Sequence, residues 1–154
     1  MQTNSLKIPK KYYLLKIFSA FIFMLAFAAC RVSLVPAYSA ELETQIVNAA
    51  KNTDLLYLQM IEAPADKKNF SNWSDKYLAA ETDINSILLK DQARTNDSDL
   101  IKPVIALRSY FINAMNDHKI RNTLSNAELL IYNEQLKAFW LPVLKEEIAL
   151  SKAK

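Results

Sequence analysis

From residue 40 onward, apolar positions recur at alternating steps of four and three. Leu42, Ile46, Ala49, Thr53, Leu56 and Met60 make the first row, and Trp73, Tyr77, Ala80, Ile84 and Ile87 the second. Leu100, Val104, Leu107, Phe111 and Ala114 make the third, widened by Ile101, Ile105 and Ile112. Spacing that averages 3.5 keeps residues on one side of an α-helix, so each row predicts a helix with one buried stripe. A fourth row runs through Leu129, Tyr132, Leu136, Phe139, Val143 and Leu150. No stretch alternates apolar and polar residues for long enough to argue a strand.

Local signals bound these helices. Pro64, in Ala-Pro-Ala-Asp-Lys-Lys-Asn, ends the first, and Ser71 or Ser74 is a candidate cap for the second. Arg94-Thr95-Asn96-Asp97-Ser98 is polar and turn-forming. Pro103 fits the start of the third helix if Asp99 is its cap, because first-turn N–H groups have no intrahelical partner. Ser125-Asn126-Ala127-Glu128 is a capping box, with Leu124 and Leu129 placed as a hydrophobic staple. Pro142 interrupts the fourth row and predicts a kink or break, since its ring clashes with the Ala138 carbonyl. Three short connections between four amphipathic helices predict an all-α, antiparallel four-helix bundle. The chain has no glycine, so a helix end in the left-handed conformation must use asparagine, and Asn69, Asn96 and Asn122 are placed for it.

The first 39 residues read differently. Lys7, Lys10, Lys11 and Lys16 precede an uncharged run over 17–30, and no acidic residue appears before Glu41. A cationic start, a short apolar run and a small-residue exit are the parts of an export signal. Such a run spans about 21 Å as helix, short of the ~30 Å hydrocarbon core. Residues 1–39 are therefore expected to be a signal peptide or membrane anchor, and 40–154 a helical bundle domain. Three exits are open: Ala37-Tyr38-Ser39 before Ala40, Val35-Pro36-Ala37 before Tyr38, and the lone cysteine. Phe27-Ala28-Ala29-Cys30 resembles a bacterial lipobox, with Phe27 where an aliphatic residue is usual. That resemblance implies lipidation of Cys30 and attachment to a bacterial envelope.

Charge then narrows the function. The whole chain is formally +3, but Lys7, Lys10, Lys11, Lys16 and Arg31 all lie in the leader. The remaining 14 basic residues face 16 acidic ones, a formal −2 for the body. Nucleic-acid binding needs cations on the folded domain and is not expected. Without glycine there is no phosphate-cradling loop, dinucleotide fingerprint or Gly-x-Ser-x-Gly elbow. One cysteine excludes an internal disulfide and covalent haem attachment through Cys-x-x-Cys-His. His118 is the only histidine, and Met115, not Glu, stands three residues before it, so a Glu-x-x-His di-metal pair is excluded. His118 and Met115 with Met60 could at most contribute to a soft-metal site; their bland reading is a helix end and core filler. No catalytic, metal or cofactor residues are assigned, and no enzyme is expected.

What remains is a surface. Phe139-Trp140-Leu141-Pro142-Val143 places five apolar residues in succession, more than one helix face can bury. Phe139, Trp140, Leu141 and Val143 are the candidate partner interface, because exposed apolar patches mark interaction sites and Trp is enriched at their centres; the alternative is that the last helix lies deep between the other three and buries them as core. The expected function is that of an exported, periplasmic or lipid-anchored helical protein, acting without catalysis as a protein-binding accessory, chaperone-like factor or inhibitor. A ligand- or cofactor-binding bundle and a membrane-anchored structural component are the alternatives.

Overall fold

The computed structural model describes residues 36–95 and 98–152. They form four α-helices: α1 (Ala40–Glu62), α2 (Ser74–Arg94), α3 (Ser98–Arg121) and α4 (Asn126–Lys152). Two single 3₁₀ turns, Ala65–Lys67 and Phe70–Asn72, join α1 to α2. α1 packs on α2 and α4, and α3 packs on the same two helices, which closes a four-membered ring.

Cross-helix pairs show that every neighbour runs antiparallel. Glu41 meets Lys90, Gln45 meets Ser86, and Gln59 meets Lys76 as α1 rises and α2 descends. Tyr77 meets His118 and Asn85 meets Arg108 between α2 and α3. Tyr110 bonds Gln135 and Arg121 bonds Glu128 between α3 and α4. Ser39 meets Glu147 and Asp54 meets Asn133 between α1 and α4. Short connections permit only this arrangement of sequential neighbours.

The helix ends follow local chemistry. Ser39 has extended backbone, and its Oγ accepts from the Leu42 N–H at 3.2 Å. Glu41 and Glu43 then occupy the first turn, where the helix dipole favours anions. Ala63 is extended, as the residue before a proline must be, and α1 stops there. The serines expected to cap α2 do not do so. Trp73 is the cap residue without a side-chain bond, while the Ser74 hydroxyl donates backward to the Ser71 carbonyl at 3.3 Å. The Trp73 indole N–H instead donates to the Lys67 carbonyl at 2.8 Å, tying the helix start to the preceding turn.

α4 begins with the capping box as read. The Glu128 N–H donates to Ser125 Oγ at 3.3 Å, and the Ser125 N–H donates to Glu128 Oε2 at 2.9 Å. Leu124 and Leu129 are both buried beside it. Asn122, with φ 63°, is the only non-glycine residue at positive φ among the described residues. It closes α3, and its carbonyl accepts from the Phe70 N–H at 2.8 Å. Asn69 instead has ordinary extended backbone (φ −65°, ψ 139°), and Asn96 lies outside the described residues. Pro142 does not break α4, which is helical from Asn126 through Lys152. The buried neighbours Trp140 and Val143 hold the helix on both sides of it, and that packing outweighs one missing hydrogen bond.

The four stripes make one core. All residues of the first two rows are buried, as are Val104, Leu107, Phe111 and Ala114 of the third. Tyr57, Tyr77 and Phe111 are its largest members, with Tyr77 edge-on to Tyr57 at 6.2 Å and 5.9 Å from Phe111.

Candidate functional site

The apolar run of α4 divides among three directions, because successive helical residues turn by about 100°. Trp140 (5% exposed) and Val143 (3%) belong to the core. Phe139 is half-buried and stacks on Tyr110 of α3, with ring centroids 4.9 Å apart. Leu141 points elsewhere and is 50% exposed. The four residues singled out from the sequence therefore do not form one surface, and only Leu141 is openly available. Cys30 and the other residues from 1 to 35 lie outside the described residues.

Leu141 instead belongs to a groove between α4 and α1. Ile46, Val47, Ala50, Trp140, Leu141 and Leu144 line it together with Lys137, around a volume of about 200 Å³. Val47 on the α1 side is 46% exposed and faces the same space as Leu141. Trp140 also lines the groove, and its buried indole N–H has no hydrogen-bond partner among the described residues. Lys137 is the one ionisable group on the wall, and it is engaged with Asp54 at 3.2 Å and Glu134 at 3.0 Å. Two larger clefts lie between α1 and α2: one is lined mainly by polar residues such as Glu41, Asn48, Asn52 and Asp83, and in the other Asn52, Gln59, Lys76 and Asp83 alternate with Leu55, Leu56, Ala79 and Ala80.

Two polar clusters occupy opposite ends of the bundle. At one end Arg94 Nη2 donates to Asp91 Oδ1 at 2.9 Å and to Glu147 Oε2 at 2.8 Å. The Glu147 side chain is 3% exposed and that of Asp91 12%. Burial pushes the Asp91 carboxyl above its usual range, against the pull of Arg94. Burial also works against the Arg94 charge, but Glu147 and Asp91 outweigh it and raise its pKa.

At the other end His118 is 1% exposed. Its Nε2 is 2.8 Å from the Lys68 carbonyl and its Nδ1 3.1 Å from the Tyr77 hydroxyl. Burial holds the imidazole below its ordinary pKa, and it raises both Tyr77 and Tyr57. Met60 Sδ is 3.8 Å from the same hydroxyl, and Met115 packs half-buried against the core. Both ring nitrogens of His118 thus have protein partners, Nε2 the Lys68 carbonyl and Nδ1 the Tyr77 hydroxyl.

Sequence reasoning passed over most of these buried polar residues, yet their positions carry a signal. Extending the α2 row by one step of four from Ile87 reaches Asp91, and extending the α3 row from Ala114 reaches His118. The α4 stripe that the fold buries is Leu129, Asn133, Leu136, Trp140, Val143, Glu147 and Leu150, an unbroken 4-3 alternation. An apolar-only reading skips Asn133 and Glu147 and slips onto Tyr132 and Phe139, which lie one helical step aside.

In comparisons with known proteins, no family model, no curated protein and no solved structure matches the chain.

Proposed function

We propose that this is an exported, non-enzymatic binding protein of a bacterial envelope, whose groove between α1 and α4 receives an apolar side-chain row of a partner helix. The observation that carries the reading is the pairing of Val47 and Leu141, two exposed aliphatic residues on the opposing walls of a groove whose only ionisable lining residue is Lys137. Covering such a surface releases water at roughly 25 cal/mol per Å² of apolar area, the driving term for helix-in-groove recognition. A volume of about 200 Å³ takes one large side chain as an anchor. The ionisable groups nearest the groove are already paired with one another, which suits binding better than proton transfer. The cationic start and the apolar run over 17–30 support export.

The test is comparative capture from envelope extract with the full chain. Val47→Asp with Leu141→Asp should abolish retention of the partner. Leu89→Asp, at a 65% exposed position on α2, should leave it intact. Equal retention by both variants, or turnover of a substrate by protein that retains no partner, would sink the proposal.

A further inference from the structure

The chain enters the bundle through a short stretch that α2 and α4 hold in place. The Ser39 N–H donates to Glu147 Oε1 at 2.7 Å, and the Ser39 hydroxyl caps α1 at Leu42. Arg94 Nη1 donates to the Ala37 carbonyl at 3.1 Å and to Glu147 Oε1 at the same distance. The Tyr38 hydroxyl donates to Glu43 Oε2 at 2.7 Å. Ser39 is thus built into the domain through both its N–H and its hydroxyl, although Ala37-Tyr38-Ser39 is also one of the small-residue exits of the leader.

Glu147 makes this entry consequential. Its side chain is almost wholly buried, and it shares the single guanidinium of Arg94 with Asp91. Two carboxylates against one cation leave an excess of negative charge, which the Ser39 N–H helps to satisfy where water does not reach. A chain that began at Ala40 would lose that donor and the cap together. Its new α-ammonium would sit one residue, about 3.8 Å of chain, beyond the position of the Ser39 amide, at the positive end of the helix dipole.

We infer that maturation spares Ser39: the cut that removes the leader falls at or before the Ala37–Tyr38 bond, and the exit before Ala40 is not used. This rests on the export reading. It separates the exits that sequence left open, keeping Val35-Pro36-Ala37 and Cys30 and removing Ala37-Tyr38-Ser39.

Two measurements on the full chain, expressed in a bacterial host, test it. Mass spectrometry of the protein from the envelope fraction should find an N-terminal residue at Tyr38 or upstream, acylated if it is Cys30. A mature chain that starts at Ser39 or later overturns the inference. In the purified protein Ser39→Ala should lower the melting temperature by about 5 °C, the size expected for a lost cap in a domain of this length. An unchanged melting temperature overturns the structural role of Ser39, and the inference with it. Intact Met1 in the cytosolic fraction would instead sink the export reading, with the Ser39→Ala melt still deciding whether the entry segment belongs to the fold.

Discussion

The Tyr77 hydroxyl lies 3.1 Å from Nδ1 of His118, and the opposite side of the ring sets the direction of that bond. The Lys68 carbonyl, 2.8 Å from Nε2, can only accept, so Nε2 carries the proton. In the neutral imidazole Nδ1 is then an acceptor, and Tyr77 donates to it. A hydroxyl has one proton, so the Met60 sulfur at 3.8 Å is a packing contact. A second proton on His118 would set N–H against the Tyr77 oxygen and force that hydroxyl to find another acceptor.

The pH dependence follows with its sign. Burial lowers the folded pKa of His118 below 6.5, so between the two values the unfolded chain binds a proton that the folded chain does not. Stability is fully present above pH 6.5 and declines as pH falls from there toward the folded pKa. His118 is the only histidine, so thermal melts between pH 8 and pH 5 should show its decline, against which the raised Asp91 works with opposite sign. His118→Gln should lower the melting temperature at pH 8 and flatten the profile.

Removing the donor isolates the other half of the pair. Tyr77→Phe leaves Nδ1 buried and unpartnered, a cost of about 1–3 kcal/mol. Urea unfolding should show a lower midpoint with an unchanged slope.

The Arg94 cluster should respond unequally to its members. Arg94→Ala strands two buried carboxylates and is expected to cost about 3–5 kcal/mol in urea unfolding. Asp91→Asn keeps an acceptor for Arg94 and removes one of two competing charges, so it should be neutral or stabilising at pH 7. The raised pKa of Asp91 has the same sense: burial of its charged form costs stability, which returns as pH falls through the folded pKa toward the unfolded one.

Adjacent residues of α4 should behave as opposites. Trp140→Ala opens a core cavity and should cost about 3–5 kcal/mol, whereas Leu141→Asp should stay within about 0.5 kcal/mol in stability. Circular-dichroism melts of both variants check this, and loss of fold in Leu141→Asp would mean that the groove wall is structural.

The capping box offers a last check. Ser125 and the Arg121 guanidinium hold the Glu128 carboxyl at about 2, far below its usual range. A lowered carboxylate pKa contributes stability present above pH 4.5 and lost as pH falls toward 2. Ser125→Ala should cost about 1 kcal/mol at pH 7, and the difference from the parent should shrink in acid.

The parts of this protein legible in its sequence are those governed by neighbours three or four residues away. The rows beginning at Leu42 and Trp73, the Ser125–Glu128 box and the left-handed Asn122 depend on helical periodicity and backbone sterics, which act within a turn or two of chain. The four helices and their antiparallel order followed from these and from short connections. Tertiary structure decided what the polar members of the stripes do. Asp91, His118, Asn133 and Glu147 fall in phase with the core, but whether a polar residue in phase is buried depends on how far the neighbouring helix extends beside it. Partners for these residues come from far along the chain: Ser39 and Arg94 for Glu147, Lys68 and Tyr77 for His118. The same physics split Phe139, Trp140, Leu141 and Val143 among a neighbour, the core and an open groove, because a helix turns by about 100° per residue while only packing says which direction is inside. Pro142 obeys that order of strength as well: the local rule predicts a kink or break, and α4 runs through it unbroken with buried contacts on both sides.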